Sequence, residues 1–124
     1  MKRGIITISE NGAVGVPAAT IWMTQEEIAD MFGVYGSDVR KTIKAIYYKE
    51  GALSEFETMQ YIRQNEHISM DVYNLEMIIA IAYRTRSEAS IVFRRYLTNR
   101  LYPKNDYQLV LFTNGTRKER SIFN

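Results

Sequence analysis

At 124 residues the chain is long enough for one compact domain with its own core and too short for two. Its 46% apolar, 12% aromatic and 24% charged residues are globular values, which exclude disorder and collagen-like structure. No apolar run approaches the ~18 residues of a membrane-spanning helix, the basic start Met1-Lys2-Arg3 lacks a signal peptide's apolar stretch, and the absence of cysteine excludes disulfides and zinc fingers and suits a reducing cytoplasm.

In chain order, Ile5 to Glu10 and Ala13 to Val16 flank Asn11-Gly12 and read as a β-hairpin, with Asn-Gly supplying the positive-φ positions of a type I′ turn. Pro17 ends that strand or puts it on an edge. Thr20 to Met23 reads as a short third strand. Thr24-Gln25-Glu26-Glu27 fits a capping box. The helix it opens buries Ile28, Met31 and Phe32 and stops at Gly33. Trp22 precedes that helix, either as a core staple or as an exposed contact.

A second helix is expected from about Ser37 to Glu50, with Gly51 as its stop. Val39, Ile43, Ile46 and Tyr47 form its apolar stripe at a 3.6-residue period. At ~100° per residue, Ser37, Lys41, Lys44 and Tyr48 share the opposite side, with Arg40 on the flank. Thr58 to Arg63 and Ile68 to Val72 read as a second hairpin turning at Gln64-Asn65-Glu66. It reads either as a wing or as a core buttress through Met59, Tyr61, Ile68, Met70 and Val72.

A third long helix is expected from the Asn74 cap to about Tyr83, with Leu75, Ile78, Ile79, Ala82 and Tyr83 on one face and Met77 and Ile81 widening it. A fourth runs from the Ser87 cap to Tyr102, burying Ala89, Val92, Phe93, Tyr96, Leu97 and Leu101, until Pro103 terminates it. Tyr107 to Phe123 around Asn114-Gly115 reads as a last hairpin. Met1 to Gly4 and Lys104 to Asp106 are the stretches expected to be loose.

Net charge is only +2, but its distribution is uneven. Tyr35 to Glu50 carries Arg40, Lys41, Lys44 and Lys49. Arg84 to Asn105 carries Arg84, Arg86, Arg94, Arg95, Arg100 and Lys104, and the acidic stretch between them has Arg63 as its one cation. Two basic segments could form a polyanion-binding face or a set of solvated helix surfaces. Arg94 and Arg95 could touch phosphate or pair with Glu88.

The first two helices have the signature of a helix-turn-helix. Ala29 allows close crossing, Gly33 allows the tight turn, and Val34 and Val39 anchor the packing. Thr42 stands where such units commonly place an aliphatic, and the anchor falls one residue later, at Ile43. The second helix would enter the major groove, presenting Tyr35, Ser37, Arg40, Lys41 and Lys44, with Tyr48 able to stack on a base. Arg and Lys can read guanine or neutralise phosphate. The competing reading is a helical hairpin with no nucleic-acid role. His67 reads as a surface residue, and no phosphate loop, nucleophile elbow or paired catalytic carboxylate is recognisable. With one histidine there is no His-rich metal site either, so the expectation is a non-enzyme with no cofactor and no metal.

The block Trp22-Met23-Thr24-Gln25-Glu26-Glu27-Ile28-Ala29-Asp30-Met31-Phe32 and the block Asp71 to Ala80, with Gly51-Ala52-Leu53, Tyr83-Arg84 and Phe93-Arg94-Arg95-Tyr96, resemble the RhuM virulence-associated protein family. Ala82 replaces the Gly of that family's Gly-Tyr-Arg. The segment ending Leu101-Tyr102-Pro103 is more weakly similar to the Bro-N domain of phage antirepressors. The resemblance spans about 5–103 and implies a DNA-binding-like module, often borne on mobile elements and often part of a longer chain.

The expectation is therefore a single α+β domain over 1–124: a small N-terminal β-sheet, a helix-turn-helix, a wing-like β-hairpin and two packed C-terminal helices, with 104–124 as a separate tail. Its expected role is that of a cytoplasmic transcriptional regulator binding double-stranded DNA, with no membrane partner. The alternative is an antirepressor-like module that binds a repressor or host protein and not DNA. A homodimer could form through Ile91 or through Leu109, Leu111, Ile122 and Phe123.

Overall fold

A computed structural model describes residues 2–102. The fold is α+β: among the described residues there are five α-helices, a two-stranded sheet and a three-stranded sheet, both antiparallel. Within the helix over 88–101 the chain divides between two units, the boundary falling after Arg94. The expected hairpin over 107–123 and the Lys104 to Asp106 stretch lie outside the described residues.

The first hairpin forms one residue out of the expected register. β1 (Thr7–Ile8) pairs with β2 (Val14–Gly15) through Thr7↔Gly15 and Ile8↔Val14. The Ser9 N–H donates to the Ala13 carbonyl at 2.9 Å and the Gly12 N–H to the Ser9 carbonyl at 3.0 Å. The loop is thus three residues, Glu10-Asn11-Gly12, and not the two-residue Asn-Gly turn. Gly12 at φ +86° supplies the left-handed position such a loop ends on.

Arg3 and Gly4, expected to be loose, are both held. The Gly4 N–H donates to the Thr20 carbonyl at 2.8 Å. The Arg3 guanidinium holds both carboxylate oxygens of Glu27, at 2.7 and 3.1 Å, and the Trp22 carbonyl at 2.9 Å. Trp22 itself is half-buried.

The third strand is shorter than expected and belongs elsewhere. β3 (Met23–Thr24) pairs with β5 (Ser69–Tyr73), which also pairs with β4 (Met59–Arg63), giving the order β3-β5-β4. The wing-like hairpin is therefore two strands of a three-stranded sheet. Its register, Gln60↔Val72 and Ile62↔Met70, joins even-numbered residues on one face. Ile62, Met70 and Val72 accordingly turn toward the core. Tyr61, expected there, is 71% exposed, and Ile68, beside the turn, is exposed as well. The turn centres one residue later than expected: the Gln64 N–H donates to the Ile68 carbonyl at 2.8 Å, and the Asn65 side chain accepts from the His67 and Ile68 N–H groups. His67 lies exposed at this tip.

Helix α1 (Gln25–Phe32) has its capping box: Thr24 accepts from the Glu27 N–H at 3.1 Å, and Glu27 accepts from the Thr24 N–H at 2.8 Å. Helix α2 (Gly36–Lys44) runs on into a π-helical turn over Ala45–Lys49, where the Glu50 N–H reaches back five residues to the Ala45 carbonyl. The expected stripe of Val39, Ile43, Ile46 and Tyr47 is buried. A short helix not anticipated from the pattern, α3 (Glu55–Thr58), comes next and leads into β4.

Helix α4 (Leu75–Ala82) starts at the Asn74 cap, whose side chain accepts from the Met77 N–H. Met77, Ile78, Ile81 and Ala82 form its buried face, while Leu75 and Tyr83, expected inside, are exposed. Helix α5 (Glu88–Leu101) begins at Ser87, whose hydroxyl accepts from the Ser90 N–H. Phe93 is its one fully buried apolar residue; its ring meets Phe32 edge-on at 5.9 Å. Ala89, Val92, Tyr96 and Leu97 are only half-buried, and Leu101 is 75% exposed.

Candidate nucleic-acid interface

The turn between α1 and α2 is built from Gly33, Val34 and Tyr35. Gly33 has φ +68°, the left-handed conformation a Cβ disfavours, and its N–H and that of Val34 donate to carbonyls of the α1 C-terminus. Ala29 is buried, so the two helices can approach closely. On α2, Val39 and Ile43 point inward and Thr42 is half-exposed, its hydroxyl donating to the Asp38 carbonyl at 2.9 Å. Ile43 thus fills the anchor place that Thr42 leaves.

Burying Val39 and Ile43 forces the other side of α2 outward. Ser37, Arg40, Lys41 and Lys44 are all exposed and lie within an arc of roughly 100° at the helical period. Among the described residues, none of these three cations is in an ion pair. Tyr35 precedes the first turn of α2 and is 79% exposed.

Tyr48, also exposed, comes four residues beyond Lys44. It lies in the π-helical turn, whose extra residue rotates the later side chains relative to an uninterrupted helix. Its hydroxyl donates to Glu55 at 2.6 Å, and that hydrogen bond raises its pKa. The same turn buries Tyr47, whose hydroxyl pairs with that of Thr58 at 2.8 Å. Burial pushes the Tyr47 phenol up as well.

A cleft of about 240 Å³ runs along the Arg40 and Lys44 flank of α2. Tyr48, Glu55, Asp71 and Tyr73 line it from the other elements. Burial and the nearby Asp71 carboxylate push the Tyr73 phenol up to about 12. The sequence pattern does not single out Glu55, Asp71 or Tyr73 as partners of α2. The alternation of β5 puts Asp71 and Tyr73 on one face, but only the fold shows that face turned to α2. On the opposite flank, Asp38 and Thr42 share a second cleft with Arg84 and Arg86.

Two arginines of the second basic segment, Arg84 and Arg94, are engaged within the fold. Arg84 grips Glu50 through Nε and Nη2, the shortest bond 2.6 Å, and donates to the Ala80 carbonyl at 2.7 Å. This bond holds the Glu50 carboxyl below its usual range. Arg94 donates to the Ala82 and Thr85 carbonyls at 2.6 and 3.1 Å, closing the C-terminal end of α4, and its guanidinium lies 5.8 Å from the Tyr83 ring centre. The side chain expected to touch phosphate or to pair with Glu88 is thus engaged with backbone carbonyls of its own fold.

Among the described residues no helix is long and apolar enough to cross a membrane, and no three His, Cys, Asp or Glu residues cluster as a metal site. Comparison of the chain with protein-family models, with curated proteins and with solved structures finds no match.

Proposed function

We propose that the chain is a DNA-binding module of helix-turn-helix type and that α2 is its recognition helix. The observation that carries this reading is the exposed arc of Ser37, Arg40, Lys41 and Lys44, opposite a fully packed inner face. A helix held this rigidly presents its cations with little further ordering cost, and unpaired cations lose no ion pair on meeting phosphate. The resemblance of 22–32 and 71–80 to the RhuM family supports the same reading, and with it a role as a regulator linked to a mobile element. Such modules act as two-fold dimers, and the exposed Ile91 on α5 is available for such a contact.

Random duplex DNA should bind with a Kd on the order of 1–100 µM at physiological salt and release as salt rises. Lys41→Ala with Lys44→Ala should weaken binding about tenfold or more while leaving Tm within a few degrees, since both side chains are exposed. Equal affinity in the double variant, measured by fluorescence anisotropy, would remove α2 from the interface.

A second reading has one observation in its favour. Phe56 on α3 is 95% exposed, an unusual place for a large aromatic and a common anchor in protein contacts. On that reading the chain is an antirepressor-like module binding a repressor or host protein. Absence of duplex binding even at low salt would favour it.

A further inference from the structure

The cleft beside α2 carries charges of both signs that do not neutralise each other. Arg40 and Lys44 line it from α2; Glu55 lines it from α3 and Asp71 from β5. Among the described residues, no ion pair joins either cation to either carboxylate. Tyr48 donates to Glu55, whereas no described side chain donates to the Asp71 carboxylate.

Tyr73 adds an independent observation. It lies two residues beyond Asp71 on β5 and so on the same face of the sheet, toward the cleft it lines. The residue is only 7% exposed, and none of the described residues makes a hydrogen bond to its hydroxyl. A phenol hydroxyl with no protein partner, on a residue that lines the cleft, is left to bond whatever the cleft takes in.

These features restrict what fits. A purely anionic occupant would meet two carboxylates, and a purely cationic one would meet two cations. An occupant carrying both charges finds its complement on each wall. At about 240 Å³ the space falls below that of typical drug-sized sites, which favours a molecule the size of one amino acid over a nucleotide. Ile43 and Met59 supply an apolar patch in the same cleft.

We propose that this cleft binds a small zwitterion of the α-amino acid class, its carboxylate toward Arg40 and Lys44 and its ammonium toward Asp71 and Glu55. The Tyr73 hydroxyl completes the polar contacts, and Ile43 and Met59 receive an uncharged side chain. Because Arg40 and Lys44 also belong to the proposed DNA-binding arc, a bound zwitterion competes with duplex DNA. The competition rests on the DNA-binding reading; the binding of the zwitterion does not.

The test is a titration of the whole chain, without DNA, with free apolar L-amino acids and with their N-acetyl and amide derivatives, followed by amide NMR shifts. Free amino acids should shift the amides of Lys44, Asp71 and Tyr73 at millimolar concentration. Either blocking group, or Asp71→Asn, should weaken binding about tenfold, near the loss of one charged contact. Tyr73→Phe should weaken binding severalfold while keeping or raising Tm, which a merely structural tyrosine would not do.

Silence from every free amino acid, blocked derivatives that bind as well as free ones, or full affinity in Asp71→Asn and Tyr73→Phe would each overturn the site. If free amino acids bind but the duplex Kd does not change at saturation, the competition is overturned and the site stands. If the chain binds no duplex at all, the DNA reading fails and the titration still decides the cleft.

Discussion

Glu27 serves two structures at once. Its carboxylate accepts from the Thr24 backbone to complete the cap of α1 and receives the Arg3 guanidinium, tying the chain start to the helix. The Arg3 hydrogen bonds, with help from Thr24, hold its pKa below the usual carboxylate value. A lowered folded pKa means stability that is present above the unfolded value of about 4.3 and is lost as pH falls through the folded pKa. Glu27→Gln keeps a capping acceptor but loses the charge. It should cost about 1 kcal/mol, or ~5 °C in Tm, near pH 7. The deficit should close as pH drops below ~4. Thermal melts of both proteins across that range check this; a gap independent of pH would place the stabilisation elsewhere.

Among elements, the second hairpin shows how register sorts residues that look alike in sequence. Tyr61 and Ile62 are adjacent and both suit a strand, yet Ile62 pairs with Met70 and is half-buried, while Tyr61 pairs with Asp71 on the other face and is 71% exposed. Ile62→Ser should cost about 1 kcal/mol of burial, whereas Tyr61→Ser should stay within about 0.5 kcal/mol. Chemical denaturation distinguishes them, and a reversed order would mean the strands slide by one residue. The caps of α1 and α4 and the stop at Gly33 were legible in the sequence, because each depends on groups three or four residues apart. The π-helical turn was not. Within it Tyr47 meets Thr58 and Tyr48 meets Glu55, partners on α3 that lie 11 and 7 residues away, beyond the reach of a helical pattern.

For the whole molecule, charge counted along the chain overstates the cationic face. Arg84 is held by Glu50, and Arg94 closes the end of α4, so two of the six cations of the second basic segment serve the fold. The exposed arc on α2 contributes three. With each phosphate contact adding ~0.9 to the slope, the logarithm of duplex affinity should fall against that of salt with a slope of about −3. A slope near −6 would show that the second segment reaches the backbone as well. Arg84→Ala should leave the slope unchanged and lower Tm, because its guanidinium is bound to the fold; a smaller slope in that variant would place Arg84 on the nucleic acid.

The α+β class, the caps at Thr24, Asn74 and Ser87, the turn at Gly33 and the outward set of Ser37, Arg40, Lys41 and Lys44 could be read from the residues alone. All of these arise from short-range periodicity and local hydrogen bonding. Tertiary structure alone decided that the hairpin joins Met23–Thr24 in one sheet, that Arg84 and Arg94 are engaged inside the fold, and that Asp71 and Tyr73 face Arg40 and Lys44 across a cleft. The Arg94–Ala82 and Arg84–Glu50 pairings join residues 12 and 34 positions apart, and no local pattern encodes which distant carbonyl or carboxylate a side chain will meet.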